Sequence, residues 1–213
     1  RRSLAAFYQR SGMATQWNPS PDDAVASLAV SGSTVYAGGA FSHIGGQAHS
    51  HLAALDGSTG AALDWSPNPD QPATVLAIAG KTLYVGGAFT SMAGQPRRSL
   101  AAFNLQSKEL ADWDPDPDGP VSLMATLTSS IYVCGTVTTI GGQNRHRLAA
   151  IDAATGAATS WAAPDIANGT VINALAVSPS AVYIGGDFSS LGGQARRSLA
   201  AFDIASGALT DWS

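Results

Sequence analysis

A four-residue run, Leu-Ala-Ala followed by an aromatic or aliphatic residue, occurs five times, and each copy leads to a tryptophan. The runs begin at Leu4, Leu52, Leu100, Leu148 and Leu199; the tryptophans are Trp17, Trp65, Trp113, Trp161 and Trp212. Both series step by 48, 48, 48 and then 51 residues. A fixed period in this range marks an array of repeats, each of which buries its apolar faces only by stacking on its neighbours.

One unit reads from 73 to 113. A short apolar run at 74–79 (TVLAIA) meets a Gly80-Lys81 turn, and 83–89 (LYVGGAF) is a second strand. Residues 90–98 (TSMAGQPRR) read as a loop, 100–103 (LAAF) as a third strand and 109–113 as a fourth, before the proline-broken connection 114–119 (DPDPDG). Four short strands with turn signals between them match a propeller blade. No segment keeps a helical apolar period, and Gly and Pro interrupt every stretch. A parallel β-helix is the structural alternative, but its coils repeat more finely. The expected fold is therefore all-β: a β-propeller segment with an N-terminal half blade at 1–17 and four-stranded blades at about 24–65, 73–113, 120–161 and 170–212.

The strand count does not close. Four inner pairs accompany five outer pairs, because the outer pair at 3–17 has no inner pair before it. The chain also opens inside a repeat, at Arg1-Arg2-Ser3, without an initiator methionine. The expectation is a piece of a larger propeller or an open arc, with remaining blades or self-association covering its ends.

Composition narrows the partners. Charged residues make up 12% of the chain and the net charge is −4, which gives no general attraction for nucleic acid or anionic membranes. No apolar stretch approaches the ~20 residues of a membrane-spanning helix. Cys134 is the one cysteine, so an intrachain disulfide and a cysteine-clustered zinc site are excluded. It replaces the first glycine of a pair found elsewhere as Gly38-Gly39, Gly86-Gly87 and Gly185-Gly186. Glycine inside a strand implies close approach of another backbone, and Cys134 reads as a small buried thiol. The tryptophans read as staples between blades. Each buries ~150–250 Å², a gross contribution of up to ~5 kcal/mol.

Two resemblances follow from the residues. Residues 54–65 read A-x-D-x-x-T-G-x4-W (Asp56, Thr59, Gly60, Trp65); 150–161 repeat it, and 201–212 keep it with Ser206 for Thr. This looks like the tryptophan-docking motif of quinoprotein-like propellers, including pyrroloquinoline-quinone dehydrogenases. The copy ending at Trp17 has Tyr8 for the Asp; the one ending at Trp113 has Asn104 for the Asp and Lys108 for the Gly. The other half, 85–95 (VGGAFTSMAGQ), resembles delta-60-type propeller repeats of bacterial secreted and surface proteins; fungal cell-polarity cortical markers carry a similar pattern. The resemblance implies a secreted or cell-surface, bacterial, extracytoplasmic protein. It does not bring a quinone site: there is no Cys-Cys pair, Glu109 is the one glutamate, and no acidic and amide ligand set maps onto the chain. Pyrroloquinoline quinone is not expected.

Candidate chemistry is sparse. Asp114, Asp116 and Asp118 match the opening of a calcium loop, but the twelfth position is Ala125, so the late carboxylate is missing. Calcium binding and a solvated turn are the alternatives. His49 and His51 lie two apart and lack a third ligand for a metal. Asn168-Gly169-Thr170 is a glycosylation sequon where the source glycosylates proteins. The basic residues are ordered: before each third strand stand Arg1-Arg2, His49 and His51, Arg97-Arg98, Arg145-His146-Arg147 and Arg196-Arg197. In an up-and-down blade these loops share a face with the aspartates that follow each tryptophan. One reading is a ring of Arg–Asp pairs that orders the loops. The other is a binding face for an anionic glycan or carboxylate-bearing protein, formed by Arg97, Arg98, Arg145, Arg147, Arg196 and Arg197. No nucleophile-elbow, zincin or P-loop pattern is present. The functional expectation is a non-catalytic binding or scaffold module; the alternative is the propeller part of an enzyme (quinoprotein-like oxidoreductase or glycan-active) whose catalytic residues lie elsewhere.

Overall fold

The glycine pairs and tryptophans find their reason in how neighbouring sheets meet. The structure, a computed structural model, describes residues 3–167 and 169–212. Arg1, Arg2 and the sequon residue Asn168 lie outside the described residues. Among those described there is no helix, and none long and apolar enough to cross a membrane.

Four successive units each pair a seven-residue first strand with the second: Val25–Ser31 with Thr34–Gly39, Ala73–Ala79 with Thr82–Gly87, Val121–Leu127 with Ser130–Gly135, and Val171–Val177 with Ala181–Asp187. The third strands, Leu52–Asp56, Leu100–Asn104, Leu148–Asp152 and Leu199–Asp203, pair antiparallel with the second. The three-strand pairing thus recurs with the period of the repeat.

The expected fourth strand is a correction. Only Ala158–Ala162 forms a full one. Elsewhere it contracts to a single bridge: Leu55 with Ala62, Phe103 with Leu110, Phe202 with Leu209, and Phe7 with Ala14 in the half blade. The chain there leaves its own sheet early to carry the tryptophan toward the next blade. A second correction concerns the loop after each second strand. It holds a two-plus-two hairpin, such as His43–Ile44 with Gln47–Ala48. The tip residues Gly45-Gly46, Ala93-Gly94, Gly141-Gly142 and Gly192-Gly193 all have positive φ, as the tightest hairpin turn requires.

The core lies between blades. Alternating side chains on each strand face opposite neighbours. Tyr36 and Trp65 of the first blade pack with Leu83, Val85 and Phe103 of the second. Tyr84 and Trp113 then pack with Ile131, Val133 and Ile151 of the third, and Tyr132 and Trp161 with Val182, Ile184 and Phe202 of the last. Leu4 and Trp17 of the half blade cover Ala37, Phe41 and Leu55. Nearest the centre the first strands adjoin, and Leu76 N donates to Ser27 Oγ at 3.0 Å.

Here the first glycine of the pair in the first blade is needed. A Cβ on Gly38 would stand 2.5 Å from the carbonyl oxygen of Ala73, in the next blade. Cys134, at the equivalent place, is fully buried, and burial pushes its thiol far above the ordinary cysteine value. At Gly185, on the open face of the last blade, the nearest atom to a Cβ is 3.4 Å away. We predict that Gly38→Ala destabilises the protein by about 1–3 kcal/mol, whereas Gly185→Ala is neutral or slightly stabilising. Chemical denaturation of both variants checks this; equal losses contradict the packing account.

Candidate functional site: the loop face

The connections between blades and the small hairpins do share one face. The carbonyls of Pro19, Pro67 and Pro115 accept N–H bonds from Gly45, Ala93 and Gly141, at 2.7, 2.6 and 2.7 Å. Each connection therefore rests on the hairpin of the blade that follows. Five residues after Trp17, Trp65 and Trp113 stand Asp22, Asp70 and Asp118, and each clamps the start of that hairpin. Asp70 accepts from Thr90 N (2.8 Å), Ser91 N (3.0 Å) and Thr90 Oγ1 (2.6 Å). Asp22 does the same with Ser42 and His43, and Asp118 with Thr138 and Thr139. The spacing of 20 residues from Asp to Ser/Thr is the sequence signal for this clamp. In the last blade Ile166 takes the aspartate's place and is buried.

These bonds lower the carboxyl pKa values. The Thr90 hydroxyl, opposed by burial and aided by the N–H groups of Ser91 and Thr90, brings Asp70 to about 2. At Asp118 burial acts upward most strongly, but the Thr138 hydroxyl and the N–H groups of Thr139 and Thr138 outweigh it, and the carboxyl ends at about 2. Asp22 is lowered further, first by the Ser42 hydroxyl. Ser42, His43 and Asp22 are not a nucleophilic triad: Ser42 donates directly to the carboxylate, and His43 uses one nitrogen, Nδ1, toward both.

The candidate calcium ligands are not brought to one centre. Asp118 serves the clamp, Asp114 lies 3.7 Å from Arg97 and Asp116 lies 3.5 Å from Arg98. Among the described residues no group of three or more His, Cys, Asp or Glu is placed to hold a metal ion. His49 is buried, with Nδ1 3.1 Å from Ser66 Oγ, and His51 Nδ1 lies 3.2 Å from Gly39 O.

The six arginines divide into two kinds. Arg97, Arg145 and Arg196 occupy one repeat position and fold back on their own blades. Each donates to the carbonyl of the preceding residue and to that of the residue two before the tryptophan: Ala111 (3.0 Å), Thr159 (2.8 Å) and Thr210 (2.6 Å). Arg147 instead reaches the Thr170 carbonyl at 3.0 Å, in the connection to the last blade. These four are half-buried, and their Nε atoms are buried without a partner. Arg98 and Arg197 are exposed, as is His146 at the same repeat position. His146 stands 3.9 Å from Asp165. Among the described residues Arg197 has no ion pair. The ring of Arg–Asp pairs is thus partial; backbone carbonyls are the main partners.

The tryptophans dock across blades. Trp17, Trp65, Trp113 and Trp161 donate Nε1–H to the carbonyls of Asp56, Lys108, Asp152 and Asp203, all at 3.0 Å. The D-x-x-T/S-G motif builds the receiving turn. Asp56 Oδ1 accepts from Ser58 N, Thr59 N and Thr59 Oγ1, and Gly60, at φ +79°, returns the chain. Where Lys108 replaces the glycine, it holds φ +63° and its carbonyl becomes the acceptor.

No family model and no curated protein matches this chain. Solved structures do. The computationally designed Ika4 protein is 13% identical, with a TM-score of 0.59 over 86% of this chain and 93% of its own. The designed Ika8 protein is 17% identical, with a TM-score of 0.58 over 95% of this chain and 65% of its own. The WD40 β-propeller domain of Doa1 is 9% identical, with a TM-score of 0.57 over 88% of this chain and 52% of its own. The fold is propeller-like; at these identities the likeness extends to fold alone.

The clamp gives a pH prediction. Asp70 and Asp118 are lowered from about 3.9 in an unfolded chain, so their stabilisation is present above pH ~4 and disappears as pH falls through about 2. The melting temperature should fall steeply from pH ~5 to ~2, and Asp70→Asn should make that slope shallower. Equal slopes contradict the clamp.

Proposed function

We propose that this chain is a non-catalytic binding or scaffold module, acting outside the cytoplasm, with its partner surface on the loop face. The observation that carries the reading is how the polar groups of that face are used. Its aspartates hold hairpins, and four of its arginines hold backbone carbonyls. A face so tied together is a rigid platform, suited to recognition without a conformational step. The extracytoplasmic setting rests on the likeness of 85–95 to repeats of bacterial secreted and surface proteins.

Within that face we assign recognition to Arg98, His146 and Arg197. They form a row across three adjacent blades and are exposed. Arg98 meets Asp116 only at 3.5 Å, with both side chains more than half exposed, a pair of little net stability that a stronger anion displaces. Arg97, Arg145, Arg147 and Arg196 support the platform rather than touch the partner. The partner class is an anionic glycan or a carboxylate-bearing protein segment. With heparin and poly-L-glutamate as probes, binding should weaken as salt rises, and Arg98→Ala/Arg197→Ala should weaken it at least ~10-fold with an unchanged melting temperature. Arg97→Ala should lower the melting temperature. Absence of wild-type binding to both probes, or full binding by the double variant, refutes the assignment.

A further inference from the structure

We infer that the joint between the third and last blades holds a small oxyanion, a carboxylate, sulfate or phosphate group gripped by Arg147. The site is distinct from the exposed row of Arg98, His146 and Arg197, and its ligand is one small group rather than a chain.

The site lies where the array departs from its own repeat. Ala73 faces Gly87 eight residues after Trp65, and Val121 faces Gly135 eight residues after Trp113. Ile172, the matching residue of the last blade, faces Gly186 eleven residues after Trp161. The three extra residues, the one break in the 48-residue period, therefore fall in the connection that crosses this joint. The side chains change at the same place. Ala88, Ser99, Gly119 and Pro120 of the preceding joint become Thr136, Arg147, Thr170 and Val171. Packing of a repeat is already met by the residues that the other joint carries, so an insertion and new polar groups at one point of the array mark a binding position.

These residues line a cavity of about 160 Å³, where the first strands of the two blades begin. Ser122, Gly135, Thr136 and Arg147 come from the third blade, and Thr170, Val171 and Ile172 from the approach to the last. The volume is well below the ~300–1,000 Å³ of pockets that enclose drug-sized ligands, so it suits one small group.

Arg147 is the group that calls for a ligand. Its position is left-handed in every repeat, at Ser3, His51, Ser99, Arg147 and Ser198, so the backbone directs each side chain alike. Arg147 is the one permanent cation in that set. Arg97, Arg145 and Arg196 use both terminal nitrogens on acceptors. Arg147 uses Nη1 alone, on the Thr170 carbonyl at 3.0 Å, and its Nε is buried without a partner. Among the described residues no carboxylate pairs with it. A half-buried guanidinium thus holds the joint with one donor and leaves its charge and the rest of its planar fork unmet. An oxyanion in the cavity supplies both the counter-charge and the acceptors, and the hydroxyls of Thr136 and Thr170 line the same space.

Calorimetric titration of the full chain with sodium phosphate, sulfate and acetate, at an ionic strength matched with chloride, tests this. At least one of the three should bind at one site per chain and raise the melting temperature above the chloride control. Preference for acetate assigns a carboxylate; preference for sulfate and phosphate assigns a tetrahedral group. Arg147→Ser, which matches the residues at 99 and 198, should weaken binding at least ~10-fold. Thr136→Ala, which matches positions 40 and 88, should weaken it by less, and decides the matter if Arg147→Ser does not fold. Arg98→Ala/Arg197→Ala should leave it unchanged, which separates this site from the exposed row. The proposal is overturned if none of the three probes binds beyond chloride, if Arg147→Ser or Thr136→Ala binds with full affinity, or if the Arg98→Ala/Arg197→Ala protein loses binding.

Discussion

In this protein an indole N–H crosses from one sheet to a carbonyl of the next, four times at the same 3.0 Å. No strand ladder connects one blade to its neighbour among the described residues. Cohesion between blades therefore depends on side-chain packing, and the tryptophan is its largest and most directional part. The ring buries apolar area on both blades, and its one polar atom is satisfied by a carbonyl that at Asp56, Asp152 and Asp203 also accepts the N–H of its own turn's glycine. The blade's own tyrosine braces the ring from one side, and in two joints a phenylalanine of the next blade meets the other.

The loop face depends on the same joints. Each connection begins at a docked tryptophan, so its start is fixed on the following blade. Proline stiffens it, and five residues later an aspartate takes hold of that blade's hairpin. The arginine before the third strand closes the hairpin's other end onto the carbonyl two residues before the blade's own tryptophan. Connection, hairpin and arginine thus form a continuous chain of contacts across successive blades. The last blade departs where Ile166 replaces the aspartate, and a buried apolar side chain takes over a polar clamp.

The period made the all-β, propeller-like repeat legible, because each unit repeats a strand-and-turn pattern. The glycine pair of the first blade was legible as a place where a backbone comes close, as Ala73 does at Gly38, whereas Gly185 meets no such backbone. The cross-blade partners were less visible. The motif that ends in Trp65 also receives Trp17, and a linear motif does not reveal that its two ends serve different neighbours. The shortened fourth strand was hidden because residues 109–113 carry a strand-like pattern whose tertiary role is to leave the sheet. The arginine cluster read as a single basic patch. Position within the triplet decides the outcome: Arg97 turns inward to carbonyls, Arg98 faces solvent, and Arg147 stands where the backbone holds a positive φ and reaches the next connection.

The central claim is that docked tryptophans hold the blades together, and their unequal burial gives the direct measurement. Trp113→Ala and Trp212→Ala should be compared by equilibrium denaturation at a dilution where the chain is monomeric. The account predicts a loss of about 3–5 kcal/mol for Trp113→Ala and a loss under about 1 kcal/mol for Trp212→Ala, whose ring is 49% exposed. Equal losses at the two sites, or a loss under about 1 kcal/mol at Trp113, would contradict it.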